Sequence, residues 1–171
     1  MVKRVFFILT LSQMLFTACK EDKTLENEPP ALVKKNGTQV EKESYAALSK
    51  RLKDDGFEIF TYFDEAVGDT VVMQQYFIAF LKNGPDRTQS KAVADSLQEL
   101  HLAHLGRMYE AGYADISGPF GDDGDIRGIT IYNVPTQAMA DSLANMDPMV
   151  KAGRLKIEIH PWWAAKGFPL R

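Results

Sequence analysis

The chain has 171 residues, a net charge of −3, 45% hydrophobic and 25% charged residues. That suits one globular domain with extensions and argues against nucleic acid as a partner, because no long run of Lys and Arg is present to meet phosphates. Its one cysteine, Cys19, excludes an intrachain disulfide and a Cys-based metal cluster.

The N-terminus reads as an export signal. Lys3-Arg4 supplies a positive start, and Val5 to Phe16 form an apolar run too short to span a bilayer. The run ends in Leu15-Phe16-Thr17-Ala18-Cys19, which resembles a bacterial lipobox, with Phe16 where the pattern usually has Leu. Lys20-Glu21-Asp22 resembles the export tag of surface lipoproteins in Bacteroidetes-type bacteria. Residues 1–18 are thus expected to be a signal peptide and Cys19 the lipidated residue. That places the protein in a bacterial cell envelope, anchored to a membrane and facing the periplasm or the outside. The other reading is a plain secretory signal, with Cys19 lost in the discarded peptide.

Residues 19–40, rich in Lys, Glu and Asn and carrying Pro29-Pro30, read as a tether. Residues 41–70 read as an N-terminal extension. Glu41 to Asp55 have Tyr45, Leu48 and Leu52 at helical spacing before Gly56, and Phe57 to Phe63 suit a strand that either joins the sheet edge or covers the sheet.

The core domain is expected over 71–171. Val71 to Leu81 is a buried strand, broken by Lys82-Asn-Gly-Pro85. Asp86 to Glu110 is a helix whose apolar face is Val93, Leu97, Leu100 and Met108, with His104 in its middle and His101 at its edge; Gly112 caps it. Tyr113 to Phe120 and Arg127 to Tyr132 are strands joined at Gly121 to Asp125, where Asp123-Gly124 favours a turn. Thr136 caps a second helix that ends at Asp147-Pro148. Leu155 to Ile159 is the last strand, and His160-Pro161-Trp162-Trp163 closes the domain. The order β-α-β-β-α-β is the ferredoxin-like α+β arrangement, one antiparallel sheet with two helices on one face. The bare face carries apolar side chains and needs a partner subunit or the N-terminal segment as cover.

Several short pieces resemble the YCII-related (YciI-like) family: Ala103-His104-Leu105, Gly112, Gly118-Pro119, Asp147-Pro148-Met-Val-Lys-Ala-Gly153 and Pro161-Trp162. The likeness spans roughly Met73 to Trp163. It implies a dimeric ferredoxin-like α+β barrel, hence a homodimer, and a small pocket with a His-Asp pair suggested to be catalytic; most members have no assigned reaction. Two departures stand out: the export signal with its extension, and Met149 where many relatives have Tyr.

On that basis His104 is the expected base and Asp147 its orienting carboxylate, carried over from the family motif, with Asp122 as second choice. Imidazole suits proton transfer near neutral pH. His101, Gly118, Pro119, Met149 and Trp162 are the expected pocket residues. The bland alternative is that His104 is a core histidine bonded to backbone. His101 and His104 with the loop acids Asp122, Asp123 and Asp125 do not have a diagnostic metal spacing, so no metal and no cofactor is expected. With no Gly-x-Ser-x-Gly elbow and the cysteine used for lipidation, a hydrolase with a nucleophilic triad is not expected. The expectation is a domain that binds a small, cyclic or aromatic, molecule and performs isomerase- or lyase-like proton transfer. The alternative is a non-enzymatic binding or assembly module of the envelope.

Overall fold

A computed structural model describes residues 43–168 and 170. The signal peptide, Cys19 and the tether lie outside the described residues. The elements are α1 (Tyr45–Asp54), β1 (Ile59–Asp64), β2 (Asp69–Asn83), α2 (Lys91–Glu110), β3 (Ala114–Pro119), β4 (Ile126–Tyr132), α3 (Gln137–Asn145), α4 (Pro148–Lys151) and β5 (Leu155–Ala165). Among the described residues no helix is long and apolar enough to cross a membrane.

The architecture is α+β with one antiparallel five-stranded sheet. β5 lies on one side of β2 and β4 on the other, with β3 outside β4. That is the ferredoxin-like order. β1 pairs with the first half of β2, from Ile59 opposite Gln74 to Asp64 opposite Asp69, while β4 takes the second half, from Phe77 to Lys82. Of the two places open to the Phe57–Phe63 segment, the sheet is the one observed. The hairpin closes because Asp64 Oδ1 accepts from the Ala66 and Val67 amides and Gly68 adopts φ +70°.

The pleat of β2 decides what each face does. Phe77, Ala79 and Leu81 point to the core with Met108 of α2, Ala140 and Ala144 of α3, Met149 of α4 and Leu155 of β5. Tyr76, on the alternate face, packs against Trp162 with ring centroids 6.2 Å apart and the planes tilted by 50°, and Phe80 meets His160 edge-on at 5.7 Å.

Besides shifts of a few residues at α1, which starts at Tyr45, and β2, which runs from Asp69 through Lys82 to Asn83, three boundaries differ from the sequence expectation. α2 starts at Lys91, not Asp86, because Ser90 Oγ accepts from the Val93 amide, whereas Asp86 folds back on Thr88 and its own amide bonds the Gly153 carbonyl. Beyond Asp147-Pro148, where the expected helix ends, one more turn, α4, forms with proline at its first position. β5 does not close at Ile159 but runs on through Pro161, opposite Phe77, to Ala165 opposite Met73. β5 pairs only with β2, and an edge strand tolerates a residue without an N–H.

Candidate functional site

The buried stripe of α2 is Leu97, His101, His104 and Met108, at spacings of four, three and four. Val93 and Leu100, expected on that face, are 49% and 50% exposed. The stripe is thus turned toward His101, which is a central residue of the buried face rather than an edge residue. Both histidines point inward, at 8% and 2% exposure respectively.

Asp147 meets the first of them. Its Oδ2 lies 2.5 Å from His101 Nδ1, and its Oδ1 accepts from the Met149 amide at 2.8 Å. One carboxylate therefore caps α4 and grips the ring of α2, which explains why an acid precedes Pro148. Burial works to raise the Asp147 pKa, but the hydrogen bond and charge of His101, the Met149 amide and the charge of His104 hold it below the ordinary 3.8. An ionised carboxylate only accepts, so the bridging proton resides on His101 Nδ1. In a neutral ring the lone pair then sits on Nε2, which among the described residues has no partner and is not sealed off. That is the arrangement of an oriented general base.

His101 lines two adjoining crevices. The first, about 190 Å³, is formed with Leu81, Gln98, Met149 and Leu155, and with Arg87, Arg127 and Arg154 at its walls. The second, about 180 Å³, lies between α2 and the β3–β4 pair, among Leu102, Leu105, Ser117, Gly118, Pro119, Gly128 and Ile129. Gly128 is required there: a Cβ on it would stand 2.6 Å from the Gly118 carbonyl oxygen. Both crevices are smaller than a typical drug-sized pocket and suit a compact ligand.

The expected site residues distribute as follows. His101 and Met149 line the first crevice and Gly118 and Pro119 the second. His104 lines neither. Burial depresses its pKa; the Asp147 charge and the Leu143 backbone oppose this, and the charges of Arg107 and His101 add to it. Its Nε2 is buried without a partner among the described residues. Asp147 bonds His101, not His104. Asp122 is exposed in the β3–β4 turn, where its carboxylate accepts from the Gly124 amide at 3.4 Å; it borders a separate depression with Lys82, Phe120 and Asp125. Trp162 lies across the sheet, in an apolar groove of about 730 Å³ with Tyr76, Ile116, Ile129 and Ile131. The crevice residues the sequence reading did not pick out are Gln98 and the three arginines. The four-three-four spacing from Leu97 to Met108 would have pointed to His101.

Among the described residues no group of three His, Cys, Asp or Glu side chains is placed to hold a metal ion. No family model matches the chain. No curated protein matches it either. Among solved structures it is similar to a 5-chloro-2-hydroxyhydroquinone dehydrochlorinase from Burkholderia phenoliruptrix, determined in complex with 2,5-dihydroxybenzoquinone. That similarity has a TM-score of 0.39 at 24% identity and covers 51% of this chain and 92% of that one.

Proposed function

We propose that the chain is a YCII-like domain that binds a small cyclic or aromatic molecule beside His101 and moves a proton on it. The observation that carries this reading is the buried Asp147–His101 bond, which leaves Nε2 of a crevice-lining imidazole as base. Nε2 takes a proton from a carbon or hydroxyl of the ligand, and Asp147 stabilises the imidazolium that forms. Return of the proton to another atom completes an isomerisation, while departure of a leaving group on the adjacent carbon completes an elimination. His104, held among core residues, supports the packing of α2.

Lipid on Cys19 would anchor this domain to a bacterial envelope membrane. A second copy would cover the outer sheet face, whose groove joins Tyr76, Ile116, Ile129, Ile131 and Trp162. The test is deuterium uptake from heavy water into small cyclic ketones and hydroxyquinones, followed by NMR. Uptake that disappears in His101→Gln and persists in Trp162→Ala supports the reading. Absence of uptake across the panel, or equal uptake with His101→Gln, leaves the non-enzymatic envelope module.

A further inference from the structure

The crevice beside His101 holds three guanidinium groups that proton transfer at Nε2 does not itself employ. Arg87 comes from the β2–α2 connection, Arg127 from β4 and Arg154 from the turn before β5. Three segments distant in sequence therefore deliver one cation each to a space of about 190 Å³.

What holds these arginines is neutral. Arg87 Nη1 donates to Asn83 Oδ1 at 2.8 Å and to the Arg154 carbonyl at 3.3 Å. Arg154 Nη1 donates to Gln89 Oε1 at 3.2 Å. Arg127 Nη1 donates to the Gly124 and Asp122 carbonyls at 3.2 and 3.4 Å. Among the described residues, neither Arg87 nor Arg154 has a carboxylate within ion-pair distance, and Arg127 has only Asp123, at 3.9 Å and fully exposed. Elsewhere Lys82 meets Glu158 and Asp125, and Arg51 meets Glu43. Asp147, bonded to the crevice-lining His101, is occupied by that ring and the Met149 amide.

Amide and carbonyl acceptors fix the direction of a guanidinium without cancelling its charge. Three such groups around a small recess form a receptor for a planar oxyanion, which the arginine fork matches in two parallel bonds. The same charges would stabilise negative charge left on a ligand once Nε2 has removed its proton.

We infer that the ligand of the His101 crevice carries a carboxylate, bound by Arg87, Arg127 and Arg154. This rests on the crevice being the working site proposed above, and it narrows the ligand to small organic acids. Gln98, beside His101 at the same wall, offers a neutral donor to the rest of the molecule.

The test uses the full chain, labelled with nitrogen-15 and titrated with benzoate and, separately, with its neutral counterpart benzamide. The His101 imidazole signals report on the site and the arginine Nε–H signals on the charge. Benzoate is expected to move both sets, to bind at least about tenfold more tightly than benzamide, and to weaken about tenfold in Arg154→Gln. The amide spectrum away from the crevice checks that the variant folds. If it does not, Arg87→Gln, altered at an exposed side chain, is expected to give the same loss. Benzamide moving His101 as strongly as benzoate overturns the carboxylate inference and leaves the site standing. Benzoate moving the arginines with His101 still overturns the site, and the inference with it. Benzoate moving neither overturns the inference.

Discussion

Replacing Asp147 tests how much the fold depends on the carboxylate that the site also uses. In Asp147→Ala two bonds vanish together, one from the buried Met149 amide at the start of α4 and one from His101. Loss of a helix cap costs about 1 kcal/mol. Leaving a buried His101 donor without its acceptor costs about 2 kcal/mol more. The expected loss is therefore about 3 kcal/mol, with a melting temperature lower by roughly 6–12 °C for a domain of this size. In Asp147→Asn the amide oxygen serves one donor where the carboxylate served two, so about half the loss is expected. Urea denaturation at pH 7 measures both. The pH dependence adds a sign. A carboxylate held below its ordinary 3.8 in the folded state contributes stability that is present above that value and lost as pH falls through the lower folded value. The parent should therefore lose more stability than Asp147→Asn on acidification below about pH 4. An Asp147→Ala protein within about 1 kcal/mol of the parent would refute the reasoning, because a buried bridging carboxylate cannot be removed that cheaply.

His104 acts with the same sign at higher pH. Its folded pKa is depressed, chiefly by burial, below the ordinary 6.5, so the unfolded chain binds more protons there and stability falls as pH drops from 6.5 toward the folded value. His104→Leu should flatten that slope in melts across this range and, since one ring nitrogen is already unpartnered, stay within about 1 kcal/mol of the parent at pH 7. Gly84→Ala places a Cβ 2.1 Å from the Gly153 carbonyl oxygen and 2.7 Å from the Leu155 amide nitrogen. Backbone has to move there, so a loss of about 2–3 kcal/mol is expected in urea melts, with Arg154 displaced from the crevice. With a second copy on the outer sheet face as proposed, the parent is expected to sediment as a dimer and Trp162→Glu as a monomer with an unchanged circular dichroism spectrum.

The elements of the fold were legible because each strand and helix announces itself by period and punctuation. Thr136 caps α3 as its position before an amphipathic run implies, and Gly112 follows α2 with φ +74°. Boundaries were less legible where two signals compete. Asp86 and Ser90 can each open a helix, and only the docking of Asp86 against Gly153 decides between them. Pro161 reads as a stop, yet an edge strand accommodates it. At the site, the Asp before Pro148 was legible but its partner was not. His101 and His104 lie 60° apart across the buried stripe by helical geometry, and which of them meets α4 depends on how the two helices pack. The arginines are illegible for a similar reason: Arg87, Arg127 and Arg154 are isolated cations, far apart in sequence, that converge only through the fold.

On the proposed reading Asp147 fixes the proton of His101 on Nδ1 and leaves Nε2 as base. The most direct measurement is a long-range proton–nitrogen NMR spectrum of the imidazoles, recorded at a pH where the rings are neutral. His101 is expected in the Nδ1–H form, with that preference lost or reduced in Asp147→Asn and Nε2 the nitrogen that responds to an added ligand. A His101 ring protonated on Nε2, indifferent to Asp147→Asn, would contradict it.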